Sequence, residues 1–168
     1  MAHWLLKSEP STYSWDQLVK DKRTSWTGVR NFQAAINLKA MKAGDRCFFY
    51  HSGEGKDIVG IVEIVREQHP DPTAEKGEPW VVVDVKAVEP VPQPVTLEAI
   101  KKEPKLKDMA LVKYGRLSVQ PVKQPVTLAA IKADPKFKDF KLVRQSRLSV
   151  VPVSDEHWKL IVKMSDGK

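Results

Sequence analysis

The chain has 168 residues, a single cysteine and a formal net charge of +7, enough for one compact domain that buries roughly 70% of its unfolded surface without a covalent staple. One cysteine excludes an internal disulfide, no basic leader opens the sequence, and no apolar run reaches the roughly 18 residues of a membrane span. A monomeric protein of a reducing compartment, the cytoplasm, with no membrane contact is therefore the expectation. The charge is uneven: positions 93–153 hold 13 Lys/Arg against 5 Asp/Glu, and the rest of the chain holds 15 against 16. Such a basic region reads either as a solvated lysine-rich surface or as a face for polyanions, nucleic acid first.

In chain order, residues 4–7 form a short apolar strand. Ser14-Trp15-Asp16-Gln17 reads as a capping box that opens a helix running to Lys20. Residues 30–42 have helical spacing, with Phe32, Ala35 and Ile36 on one face and Gly44 as the stop. Residues 45–52 read as a strand in which Cys47 is a small buried hydrophobe. A turn over 52–57 leads into 58–65, almost all apolar and β-branched, as a strand covered on both sides would be. Residues 69–79 form a loop with Pro70, Pro72 and Pro79. Residues 80–88 form another strand, with Val81, Val83, Val85 and Ala87 on one face.

A repeat follows. Positions 93–122 and 124–153 align at an offset of 31 with 20 of 30 residues identical, which indicates a tandem duplication. Each copy holds a Thr cap (Thr96, Thr127), a short helix, a proline break (Pro104, Pro135), a basic linker and a strand ending in Val-x-Pro-Val. Proline cannot donate to a central ladder, so these strands belong at a sheet edge. Two copies are too few for a solenoid, so the whole of 1–168 reads as one elaborated domain. Ser154 caps a final helix whose first turn carries Asp155 and Glu156. Strands with short interposed helices give an α+β class with a mixed β-barrel.

The usual catalytic signatures are missing. His3, His51, His69, His157 and Cys47 never pair at metal-ligand spacing. Gly55-Lys56 resembles the end of a phosphate loop, but Asp57 stands where Ser or Thr is required. The adjacent residues His51 and Ser52 point to opposite faces of a strand. No cofactor, no metal and no intrinsic catalysis are expected.

Four segments together resemble the EVE domain family of the PUA-like superfamily: Trp4-Leu5-Leu6-Lys7-Ser8-Glu9-Pro10, Trp26-Thr27-Gly28-Val29-Arg30-Asn31-Phe32-Gln33-Ala34, Phe49-Tyr50-His51-Ser52, and Arg144-Gln145-Ser146-Arg147-Leu148-Ser149-Val150. His69-Pro70-Asp71-Pro72-Thr73 and Trp80-Val81-Val82-Val83-Asp84-Val85 match the family's middle. The resemblance implies a PUA-like barrel with short peripheral helices that reads a modified base, such as 5-methylcytosine or 5-hydroxymethylcytosine, in a pocket. Thr27 departs from the Asp that many relatives carry there, and the duplication is a second departure. Copy two retains the Arg-Gln-Ser-Arg form, so it is expected to complete the pocket.

The residues read on their own agree with a base site. A base needs a flat apolar surface and a few fixed polar groups at its edge. Trp26, ahead of Gly28 and Val29, and Trp80 are the candidate stacking rings, whereas Trp4, Trp15 and Trp158 read as packing. Lys7, Ser8, Arg30, Asn31, Tyr50, His51 and Ser52, with Arg144, Ser146 and Arg147, supply the polar edge. Asn31 reads equally well as a helix cap, and His51 as a strand-end histidine. The expected function is non-catalytic recognition of a modified base in DNA or RNA. The alternatives are an RNA-modification accessory module and a sensor of a nucleobase-like metabolite.

Overall fold

The computed structural model describes residues 2–113 and 150–166. Six strands, β1 (His3–Ser8), β2 (Arg23–Ser25), β3 (Arg46–His51), β4 (Asp57–Pro70), β5 (Val81–Thr96) and β6 (Val150–Val153), form one sheet in the order β2-β5-β4-β3-β1-β6. Among the described residues only β1 and β3 run parallel; the other pairs are antiparallel. The helices among the described residues are α1 (Trp15–Asp21), α2 (Phe32–Ala40), α3 (Leu97–Lys102), α4 (Ala110–Lys113) and α5 (Asp155–Ser165), with a 3₁₀ turn at Pro104–Leu106. The class is α+β, as expected. The expected barrel closure is not seen: β2 and β6 are the two edges, and no pair joins them among the described residues. β2 has three residues and β6 carries Pro152, so neither edge offers a long row of donors.

Local chemistry sets the helix ends. Ser14 accepts from the Gln17 amide, Asn31 from Ala34, Thr96 from Ala99 and Ser154 from His157, each at 3.0–3.2 Å. Asn31 is thus the helix cap. Each cap satisfies one amide that the helix cannot.

The core lies on both faces of β3, because successive side chains alternate. On one face Phe49 meets Trp15, Trp26 and His51 edge-on, each with ring centroids 5.6 Å apart. On the other, Phe48 stacks on Trp158 at 3.9 Å, and Trp158 stacks on His3 at 4.4 Å. Cys47 is fully buried, and burial pushes its thiol well above the ordinary range.

Three expectations change. β4 runs on to Pro70, past its apolar run, because four register shifts let it follow β5 around a bend. β5 is buried on both faces from Val81 to Val85 rather than on one. In α2 the inward residues are Ala34, Ala35, Asn37 and Leu38, while Phe32 and Ile36 are 60% and 57% exposed. The helix is turned so that the Asn37 amide donates to the Val150 carbonyl in β6 at 2.9 Å.

Of the repeat, the described part of copy one runs from the end of β5 through α4, and the described part of copy two is β6. The strand expected at 117–122 and the second Thr cap lie outside the described residues. β6 pairs with β1, placing Pro152 opposite Trp4 at a sheet edge, as the missing proline donor requires.

A β-carbon at Gly60 would sit 2.4 Å from the Trp15 ring, so β4 and α1 pack through this glycine. Gly60→Ala is expected to lower stability by about 1–3 kcal/mol, read by denaturant unfolding. An unchanged midpoint would mean that Trp15 does not rest on β4.

Candidate functional site

The segment 26–31 leaves β2 and runs to the cap of α2. Its first residue is anchored by the Trp26 amide donating to the Val83 carbonyl at 2.8 Å. Trp26 is 7% exposed and packs on Phe49. Its ring is therefore part of the core, and its removal would cost stability whatever its part in binding. Gly28 adopts φ +77°, and nothing stands within 4 Å of where its β-carbon would be. The backbone there is open to an approaching group, in a conformation that favours glycine.

Asp71 holds this segment down. Its Oδ2 accepts from the Gly28 amide at 3.1 Å and from Arg30 Nη1 at 2.6 Å. Its Oδ1 accepts from the Thr73 amide at 2.8 Å and the Thr73 hydroxyl at 2.7 Å. Arg30 Nη2 also donates to Thr73 Oγ1 at 3.0 Å. The Asp71 side chain is fully buried. Burial pushes its carboxyl up, but the hydrogen bonds from Arg30, Thr73 and Gly28 outweigh it and hold the pKa at about 2. Asp71 was not among the residues singled out by sequence. Its signal was the Asp-Pro-Thr triplet, an Asx-type turn in which the carboxylate accepts from the amide two positions on.

Beyond Arg30 the surface is aromatic. The guanidinium carbon lies 5.9 Å from the centroid of the Trp80 ring, and Phe32 packs on the same ring at 4.9 Å. Val29 is buried, and Trp80 Nε1 is buried with no hydrogen-bond partner. The structure thus brings Gly28, Val29, Arg30, Asn31 and Trp80 together on one support, with Phe32, Asp71 and Thr73 added.

The second group lies at the C-terminal ends of β1 and β3. Ser8, His51 and Asp57 are successive partners across β1, β3 and β4, so their side chains share a face. His51 Nε2 accepts from the Trp15 amide at 3.2 Å, which puts the proton of a neutral ring on Nδ1, 3.9 Å from Asp57 Oδ1. That carboxylate oxygen is buried without a hydrogen-bond partner. The Ser8 hydroxyl donates to the Tyr13 carbonyl at 2.7 Å, and the Ser52 amide to the Ser8 carbonyl at 2.8 Å. Through Phe49, which touches both rings, His51 is linked to Trp26.

Lys7 and Tyr50 are partners in register but point to the other face. The Lys7 ammonium is 5.9 Å from the Tyr50 ring centroid, and burial lowers its pKa to about 8. Burial, followed by the Asp57 charge, raises the Tyr50 hydroxyl to about 12. The two therefore do not share a wall with His51 and Ser8. Arg144, Ser146 and Arg147 lie outside the described residues.

Ser25, Asp84 and His69 also come together, but the carboxylate is in the middle. Asp84 Oδ1 is 2.6 Å from the Ser25 hydroxyl and 3.0 Å from His69 Nε2. A nucleophilic triad needs the imidazole between the hydroxyl and the acid, so this cluster joins β2, β4 and β5 without that order. No group of three or more potential metal ligands occurs among the described residues. No helix among them is long and apolar enough to cross a membrane. A basic groove of about 530 Å³ lies along α5, lined by Lys105, Glu156, His157, Lys159, Leu160 and Lys163. It contains one of the linker lysines of copy one, Lys105, in its described part.

Fold and site together define a mixed-sheet α+β protein whose loop segment 26–31 is braced by a buried carboxylate beside an aromatic ledge. The sequence matches the EVE domain over residues 2–125 and 119–164, two stretches that overlap within the repeated region, and the chain belongs to that family. It is similar to thymocyte nuclear protein 1 of Gallus gallus, with 38% identity over 150 residues covering 70% of this chain and 62% of that protein. It thus spans less than two thirds of that relative's length. The NMR structure of a Rhodopseudomonas palustris protein superposes with a TM-score of 0.76 at 46% identity, covering 99% of this chain and 94% of the other. The crystal structure of human THYN1 protein in complex with 5-methylcytosine containing DNA superposes with a TM-score of 0.68 at 27% identity, covering 100% and 99% of the two chains.

A carboxyl group held at about 2, against an ordinary 3.8, adds stability above the ordinary value and loses it as the pH falls toward 2. Asp71→Asn is therefore expected to destabilise the protein by about 1–3 kcal/mol at pH 7, with the gap from the native chain closing between about pH 4 and pH 2. Urea unfolding across that range reads it. A gap that stays constant down to pH 2 would mean that the Asp71 charge does not brace the segment.

Proposed function

We propose that the chain is a non-catalytic reader of a modified base in nucleic acid, of the 5-methylcytosine or 5-hydroxymethylcytosine kind. In this reading the base enters an aromatic-walled pocket between the segment 26–31 and the strand ends at Ser8 and His51, on a sheet that curls toward a PUA-like barrel. Copy two, with Arg144, Ser146 and Arg147, is the copy we propose to complete the pocket. The observation that carries the reading is the brace of Asp71 on Gly28 and Arg30. It fixes an open backbone turn and a guanidinium beside an aromatic surface before any ligand arrives, and such preorganisation cuts the cost of binding. The human relative whose structure contains 5-methylcytosine DNA supports the choice of ligand class.

The energetics limit what such a pocket does. Extracting a base from a duplex costs a few kcal/mol, so contacts to the rest of the base and its strand must exceed that cost. One methyl group discriminates by only about 1–3 kcal/mol. The pocket therefore favours a modified base by a factor rather than absolutely.

The test is a pull-down from total cellular nucleic acid, digested to nucleosides and read by mass spectrometry. Enrichment of methylated or hydroxymethylated deoxycytidine over deoxycytidine is the expected result. Enrichment of modified ribonucleosides instead would move the function to RNA. Recovery of neither would overturn nucleic-acid reading and leave a metabolite as the ligand.

A further inference from the structure

The outward stripe of α2 is exposed and is not part of the buried core. Phe32 and Ile36, four residues apart, are two of the four large hydrophobic side chains exposed among the described residues. Lys39 follows three residues later on the same face. It is exposed, and it makes no ion pair among the described residues. From Phe32 to Lys39 the helix advances about 10 Å, the length of about three nucleotides at roughly 3.4 Å each. The Phe32 ring is steadied by Trp80 at 4.9 Å, and Trp80 by the Arg30 guanidinium at 5.9 Å.

α2 carries no Asp or Glu, and its one charged side chain is Lys39. The neighbouring cations are already matched: Arg23 with Asp84 at 3.7 Å, Lys42 with Glu67 at 3.0 Å and Arg30 with the fully buried Asp71 at 2.6 Å. Lys39 is thus the cation that the stripe itself presents, in line with an exposed aromatic ring. A purely apolar partner makes no use of that lysine, whereas a polyanion whose flat faces stack on aromatic rings does.

We infer that this stripe is a docking ledge for the nucleotides flanking the base that is read: Phe32 stacks on the neighbouring base, and Lys39 meets a phosphate further along the same strand. The inference rests on the reading of the chain as a modified-base reader. It adds a site outside the pocket, built from residues whose exposure the fold does not require.

The test uses the full chain and a fluorescein-labelled oligonucleotide carrying one 5-methylcytosine, with an unmethylated twin. Phe32→Ala is expected to weaken binding of both by about fivefold to a hundredfold, leaving their ratio and the melting temperature unchanged, and Phe32→Trp is expected to restore affinity. Lys39→Gln is expected to reduce the slope of log affinity against log salt by about 0.7–0.9. With 2-aminopurine next to the 5-methylcytosine, the native chain should change its fluorescence on binding and Phe32→Ala should not. Native affinity retained within twofold in Phe32→Ala would overturn the ledge and leave the pocket standing. So would a change in the methylated-to-unmethylated ratio, which would make Phe32 part of the pocket itself. A native dimer that Phe32→Ala converts to a monomer, read by light scattering, would assign the stripe to a second copy of the chain. If the native chain binds neither oligonucleotide nor any other modified one, the functional reading fails and the ledge falls with it.

Discussion

A single buried carboxylate, Asp71, determines the shape of the candidate site. Its two oxygens accept four hydrogen bonds, from Gly28, Arg30 and twice from Thr73, and together these tie the segment 26–31 to the loop between β4 and β5. Removing one partner of such a group leaves a buried charge uncompensated, which costs far more than the pair adds over a nonpolar substitute. The arrangement therefore specifies one conformation more than it adds stability. With Asp71 satisfied, Gly28 can hold its positive φ, Arg30 lies along Trp80, and Asn31 caps α2.

The tryptophans divide the labour between fold and surface. Trp4, Trp15, Trp26 and Trp158 are all buried. Trp15 rests on Gly60, Trp26 on Phe49 and Trp158 on Phe48, while Trp4 donates its indole N–H to Asp45 at 3.1 Å. Trp80 is the one at the border, between Arg30 and the exposed Phe32. Core packing on both faces of β3 makes the sheet rigid where β1 and β3 end, and a binding constellation set on rigid elements keeps its geometry.

Much of this was legible in the sequence where the controlling chemistry is local. The caps at Ser14, Thr96 and Ser154 were readable because a hydroxyl three positions before an orphan amide is a sequence pattern. Pro152 marked an edge strand because proline has no N–H to give. Interactions across the chain were not readable. The face of α2 depends on Asn37 reaching a carbonyl 113 positions away, and the apolar pattern alone does not say which of its residues turn inward. The length of β4 depends on bulges against β5. Trp26 looked like a ligand ring from its neighbours Gly28 and Arg30, yet its own contact is Phe49. The brace itself was missed because Asp71 sits in a proline-rich loop 41 positions from its partner Arg30, where nothing local distinguishes a structural carboxylate from a solvated one.

The most direct test of where the chain reads its ligand is a ¹⁵N–¹H titration with an oligonucleotide carrying one 5-methylcytosine. The amides of Gly28, Val29, Asn31 and His51 and the Trp80 indole N–H are expected to shift together. Amides of Lys159 and Lys163 in the groove along α5 should move little. Shifts confined to that groove, with Gly28 and His51 unmoved, would contradict this placement of the site.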